Sequence, residues 1–216
     1  MASMHLTIHS THPEHHKIQK VSQALHEGAV MLYPTDTGFS LGCRLSDRAA
    51  ISRLRQIRNL PESKALTFLC DSLTNISEFA KVSNHAYRMI RGLIPGPYTF
   101  ILPASKSVPR FAQDQKRKTA GVRVPNCVLC HTLLREFGSP VISISAKPNG
   151  SDESADEIIE SLAPLVDLVI TSEQYNFLGE STVIDMTTDD FTILRPGAGY
   201  EKVTEYLPQE AISSHW

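Results

Sequence analysis

Apolar positions along this chain follow two periods, and each predicts its own kind of element. In residues 18–27 the apolar Ile18, Val21, Ala24 and Leu25 share one helical face and Gly28 follows as a stop, which predicts a helix. Residues 29–33 are a short apolar run closed by Pro34 and read as a buried strand entering a loop. In residues 47–59, Asp47 is a suitable cap and Ala50, Ile51, Leu54 and Ile57 repeat on one side, while Arg48, Arg53, Arg55 and Arg58 fall mostly elsewhere. An amphipathic basic helix results. Strand patterns recur at residues 65–70, 98–102, 121–124, 140–144, 168–171, 181–185 and 191–194, with a short one at 6–8. Further helices are predicted over residues 84–92, 126–137 and 154–162. Strands this numerous, several joined by short connections, predict an α/β fold of the α+β type, a twisted mixed β-sheet flanked by helices. With no internal repeat or low-complexity linker, the expectation is a single domain over residues 1–216, its core at about residues 14–200 and a tail at 201–216.

Composition narrows the class. With 216 residues, 41% of them apolar and 20% charged, the chain reads as globular rather than disordered or fibrous. Cys43, Cys70, Cys127 and Cys130 are too few for a disulfide framework and point to a reducing compartment. The first twenty residues carry five histidines and no apolar run, so neither a signal peptide nor a membrane span is read there, and a cytoplasmic location is expected.

The net charge of -2 conceals an asymmetry. Residues 40–125 hold 15 Lys and Arg against 5 Asp and Glu, a net of +10, and the two flanks together carry -12. A basic block of this size calls for an anionic ligand such as phosphate, nucleotide or RNA.

Several common chemistries are excluded by their missing fingerprints. There is no GxxxxGK[ST] loop, no GxGxxG after a strand, no HExxH and no GxSxG elbow. Cys127-Val128-Leu129-Cys130-His131 has the spacing of a c-type haem site, but that chemistry needs export, and a structural zinc site needs two more ligands that the sequence does not place nearby. The pair reads first as two small residues packing a helix, with redox use as the alternative.

The informative segment is Tyr33-Pro34-Thr35-Asp36-Thr37-Gly38-Phe39-Ser40-Leu41-Gly42, which groups hydroxyls and a carboxylate at the end of a strand, where open α/β sheets commonly place ligands. It resembles the YPTDT motif of the threonylcarbamoyl-AMP synthase family, the YrdC-like domain. Further matches follow in order: Arg58-Asn59-Leu60-Pro61 with Lys64, Pro95 to Leu102, Gly121 to Pro125, Ser143 to Ala146, Ser181 to Asp185 and Leu194 to Gly197. Together they span residues 30–197.

The resemblance implies a twisted fold with a basic concave surface, and often binding of double-stranded RNA. It implies condensation of L-threonine, bicarbonate and ATP into threonylcarbamoyl-AMP and pyrophosphate, the precursor of a modified adenosine in tRNA. By resemblance, Thr37, Arg123, Ser143 and Ser181 fall at the threonine site and Arg58, Lys64, Thr119, Ser145 and Arg195 at the nucleotide site. ATP is then a substrate, Mg2+ is expected beside its phosphates, and no tightly bound cofactor is implied. The chain also departs from the synthases. Arg58-Asn59-Leu60 stands where the family has Lys-x-Arg, and Ser145-Ala146-Lys147 with Asn149-Gly150 stands where it has Ser-Ala-Asn with a following Ser-Gly. These features, with Lys116, Arg117 and Lys118, resemble the paralogous YciO-like branch. Two functions stay open: an enzyme of nucleotide-dependent threonylcarbamoyl chemistry, or a protein that binds tRNA or other RNA through its basic surface, Lys116 to Lys118 included, around a vestigial pocket.

Overall fold

A computed structural model of the chain describes residues 3–147 and 153–207. The first half runs β1 (Met4–Thr7), α1 (His15–His26), β2 (Met31–Pro34), β3 (Phe39–Arg44), α2 (Arg48–Ile57), β4 (Thr67–Leu69), α3 (Leu73–Phe79), α4 (Asn84–Leu93) and β5 (Tyr98–Pro103). The second runs β6 (Thr119–Arg123), α5 (Val128–Phe137), β7 (Val141–Ser145), α6 (Ala155–Leu162), β8 (Leu168–Thr171), β9 (Thr182–Asp185), β10 (Thr192–Arg195) and α7 (Tyr200–Thr204). Helix starts follow local chemistry. Asp47, Ser72, Ser83 and Ser154 each accept a backbone N–H from the first turn of α2, α3, α4 and α6, satisfying donors that no helical carbonyl can reach.

The ten strands form one mixed sheet in the order β1-β8-β2-β3-β7-β4-β6-β5-β9-β10, flanked by helices. The β1/β8, β2/β8, β4/β6 and β5/β9 pairs are parallel and the other five antiparallel. The alternation of side chains along each strand decides what each face carries. Leu41, Cys43, Phe68, Phe100, Val122 and Ile184 join α2, α3 and α4 in the larger apolar cluster. Residues of the opposite parity, Met31, Tyr33, Leu69 and Val141, are covered with Leu168 and Ile170 by α1 and α5 in a second cluster. Further along that second face the same parity brings Ser40, Ser143, Ser145, Thr67, Thr99 and Arg123 to the surface of the sheet, where α1 and α5 do not reach. This uncovered stretch is the floor of a cavity.

Three elements were not predicted. Residues 39–44 alternate Phe39, Leu41 and Cys43 with Ser40, Gly42 and Arg44 and form β3, where only a loop is expected after the strand at 29–33; the turn itself is confined to residues 35–38. Helix α3 has seven residues, too few to display a helical period. Helix α7 is shorter still, yet it places fully buried Val203 in the larger cluster. Asn149 and Gly150, and residues 208–216 of the tail, lie outside the described residues. Among the described residues no helix is long and apolar enough to cross a membrane.

Candidate functional site

The site begins at the turn between β2 and β3. The Thr35 N–H and hydroxyl both donate to the Gly38 carbonyl, at 2.9 and 2.8 Å, and Gly38 has a φ of +140°, a conformation that side chains other than hydrogen rarely adopt. The Thr37 N–H donates to Thr35 Oγ1 at 3.2 Å, so the turn is closed within itself. Its two remaining side chains divide. Asp36 is buried, and its carboxylate accepts from Arg123 Nη2 and, at 2.9 Å, from the Asn126 N–H. Thr37 lines the cavity and accepts from Arg123 Nη1 at 2.6 Å. The Asp36 carbonyl also accepts the Leu178 N–H at 2.9 Å, which ties the segment before β9 to the turn.

Arg123 therefore sits in β6 with its side chain 6% exposed and both terminal nitrogens engaged. Its Nε is buried and has no hydrogen-bond partner.

Around this centre the sheet supplies hydroxyls. The Tyr33 phenol donates to Ser143 Oγ at 2.8 Å, under a ring that fits only because Gly42 has no side chain; a Cβ there would lie 2.8 Å from the ring. Burial, with the nearby Cys130 thiol, pushes the Tyr33 hydroxyl well above its ordinary pKa and keeps it a neutral donor. Thr99 and Ser181 share a hydrogen bond of 2.9 Å. Arg195 donates to the Ser181 carbonyl from Nε at 3.2 Å and Nη2 at 2.8 Å and pairs with Glu180 at 3.1 Å.

The opposite wall is the loop after α2. Arg55, buried in α2, donates to the carbonyls of Pro61, Lys64 and Phe111 and so holds that loop in place. Arg58 donates to the carbonyls of Ser145 at 2.9 Å and Lys147 at 3.1 Å; burial lowers its pKa against the pull of Glu153, but a guanidinium stays charged at neutral pH. Lys64 and Lys147 also line the cavity, and among the described residues no hydrogen bond or ion pair engages the Nζ of either.

The cavity measures about 740 Å³, in the range that holds small ligands. Eight of the nine residues assigned by resemblance to the two substrates line it: Thr37, Arg123, Ser143, Ser181, Arg58, Lys64, Ser145 and Arg195. Thr119 does not; it is buried in β6 opposite Pro103. Lys116, Arg117 and Lys118 lie outside the cavity in the turn before β6, where Arg117 pairs with Asp185 at 2.5 Å. Sequence reasoning assigned no role to Asp36, Thr99, Glu180 or Phe177. Asp36 stood inside the quoted motif, and Thr99 was visible as the polar break in an apolar strand. Nothing in the sequence marked Phe177.

The Cys127 and Cys130 pair packs behind the same turn. Cys127 caps α5, accepting the Cys130 N–H at 3.5 Å, and the Cys130 thiol approaches the Pro34 carbonyl at 3.6 Å. The neighbouring Cys130 thiol lowers the Cys127 pKa, while the Cys127 thiol and burial raise that of Cys130.

Five cations, Arg58, Lys64, Arg123, Lys147 and Arg195, line the cavity against Glu153 and Glu180, over a floor of hydroxyls. Fold and site thus define an α/β protein with a basic pocket on the open face of a mixed sheet. A family model, Sua5/YciO/YrdC, described as telomere recombination, matches residues 23–197, and the chain belongs to that family. "Uncharacterized protein YciO" of Escherichia coli K12 is 38% identical over 197 residues, 89% of this chain and 94% of that protein. The crystal structure of E. coli YciO superposes with a TM-score of 0.86 at 37% identity, covering 93% of this chain and 98% of that one. "Threonylcarbamoyl-AMP synthase" of Vibrio vulnificus is 28% identical over 185 residues, 83% of this chain and 98% of that protein. Sua5 of P. abyssi, solved in complex with L-threonine, matches with a TM-score of 0.84 at 27% identity, covering 95% of this chain and 62% of that one. The chain is thus a YciO-like protein related to threonylcarbamoyl-AMP synthases.

Proposed function

We propose that the protein is a nucleotide-dependent enzyme of threonylcarbamoyl chemistry. In this reading a threonine-like amino acid lies beside Thr37, Arg123, Ser143 and Ser181, and nucleotide phosphates face Arg58, Lys64, Ser145 and Arg195. The observation that carries it is the convergence of these eight residues, drawn from six separated segments, on one cavity. Formation of an acyl-adenylate places charge on the α-phosphate and its leaving pyrophosphate, and fixed cations beside a positioned amino acid are what that step requires of a protein. The unengaged Lys64 and Lys147 support phosphates in the cavity.

The departures also line the cavity. Leu60 and Lys147 stand where the resemblance expects Arg and Asn, so one fork of donors is replaced by an apolar chain and one amide by a point charge. We read this as a pocket that retains the ligand class with altered phosphate contacts and a reduced synthase rate. Among the described residues no three His, Cys, Asp or Glu gather into a metal site, and Asp36 and Glu180 are each paired with arginine, so no protein ligand set is assigned to Mg2+. No step is assigned to the ion.

Calorimetric titration of the full chain with ATP and with L-threonine, followed by pyrophosphate release in bicarbonate, tests the reading. Binding of both ligands is expected, and absence of nucleotide binding overturns it. RNA binding through Lys116, Arg117 and Lys118 has weaker support, because the Arg117 charge is paired with Asp185. It predicts RNA affinity that falls steeply with salt and drops in the triple alanine variant; unchanged affinity in that variant removes the patch.

A further inference from the structure

The segment between β8 and β9 brings to the cavity something its other walls lack, an aromatic ring with open surface. Phe177 is 36% exposed and lines the cavity together with Gly179, Glu180 and Ser181. An apolar ring left partly open in a basic pocket forgoes hydrophobic burial, which calls for a reason. The ring is also held still. It stacks on Tyr175 with centroids 5.2 Å apart and planes 18° from parallel, and it meets the edge of Phe39 at 5.5 Å and 72°. Phe39 contacts Tyr175 in turn at 5.1 Å, closing a three-ring cluster whose Phe39 corner is buried in β3. The backbone on both sides is pinned, by the Ser172 N–H donating to the Tyr175 hydroxyl at 3.2 Å and the Leu178 N–H to the Asp36 carbonyl at 2.9 Å.

We infer that Phe177 is a stacking platform for the heterocyclic base of the nucleotide. A fixed, partly exposed aromatic ring at a cavity wall is pre-organised for a flat ring, since little side-chain freedom remains to be lost on binding. The charges suit the same ligand: the phosphates answer to the cations, and the base, which is uncharged, needs a face rather than a counter-ion. Phe177 thereby distinguishes a nucleotide from a bare polyphosphate. The inference rests on the nucleotide reading of the cavity, and the test separates the two.

The test is calorimetric titration of the full-length protein with ATP and with inorganic tripolyphosphate, repeated for Phe177→Ala, Phe177→Leu and Phe177→Trp, with thermal melts to confirm folding. ATP is expected to bind the unaltered protein more tightly than tripolyphosphate. Phe177→Ala and Phe177→Leu should weaken ATP roughly tenfold to a hundredfold and leave tripolyphosphate unchanged, while Phe177→Trp keeps ATP affinity, as stacking on a π-face predicts. If ATP and tripolyphosphate bind the unaltered protein equally, or if the alanine variant keeps the preference for ATP, the stacking role is overturned and the cavity reading survives. If neither ligand binds, both fall together.

Discussion

Removing the Asp36 carboxylate should be among the most damaging single changes in this protein. Asp36 and Arg123 form a buried pair with side chains 5% and 6% exposed, and the same carboxylate accepts the Asn126 N–H. Asp36→Ala leaves a guanidinium desolvated beside its already unpartnered Nε and orphans a backbone donor. Breaking a buried pair from one side costs about 3–5 kcal/mol, most of it the uncompensated charge. For a chain of this size that corresponds to a Tm lower by about 6–20 °C. Asp36→Asn, which keeps the volume and an acceptor, should fall between the two. Arg123→Met combined with Asp36→Ala should cost less than the sum of the single changes, because no charge is then stranded. The comparison is Arg53→Ala, whose partner Asp167 lies 2.6 Å away but whose side chain is 42% exposed, and which should change stability by no more than about 1 kcal/mol. Urea unfolding monitored by circular dichroism measures all five, Arg123→Met alone included. A loss in Asp36→Ala no larger than in Arg53→Ala would refute the argument that burial, and not proximity alone, sets the strength of the pair.

Other outcomes follow from the same structure. Burial raises the Asp185 pKa, but hydrogen bonds from Arg117 and Thr187 outweigh it and hold the carboxyl below the ordinary aspartate value. A carboxyl whose folded pKa is depressed adds stability above its unfolded pKa of about 4, and this is lost as pH falls through the folded value; Asp185→Asn should flatten acid unfolding below that pH and leave the neutral range less pH-dependent on this site, as urea midpoints from pH 2 to 7 would show. Iodoacetamide at pH 8 should modify Cys127 ahead of the other cysteines, since its thiol is lowered while burial raises those of Cys43 and Cys70, and mass mapping that found Cys43 or Cys70 labelled as fast in the folded protein would contradict this. Leu60→Arg with Lys147→Asn should increase pyrophosphate release from ATP, threonine and bicarbonate; an unchanged rate would mean that these two positions do not limit the synthase step.

The strands and helices that carry the core were legible because burial imposes a period. Residues 168–171 appear as a strand at the predicted bounds, the helix expected at 84–92 extends one residue further, and the one expected at 18–27 runs from His15 to His26. Residues 39–44 carried the same alternation and were passed over, because turn formers immediately before them dominate a local reading. The candidate site divides along the same line. Motif resemblance nominated Thr37, Arg123, Ser143, Ser145, Ser181 and Arg195 one by one, from strands far apart in sequence. That they share one cavity follows from strand order and parity: Gly42 pairs with Ser143 and Ser40 with Ser145 on the face that α1 and α5 leave open.

What the sequence determined alone was the identity of the elements and the sign of the charge, since hydrophobic period and residue type are local properties of the chain. Partnership was decided only by the tertiary structure. Nothing in the order of residues says that Arg123 faces Asp36 across 87 positions, that Arg117 is matched by Asp185, or that Lys64 and Lys147 are left unengaged. Ion pairs, orphan donors and the ring of Phe177 depend on which strands lie side by side, and contacts between strands distant in sequence have no local signature.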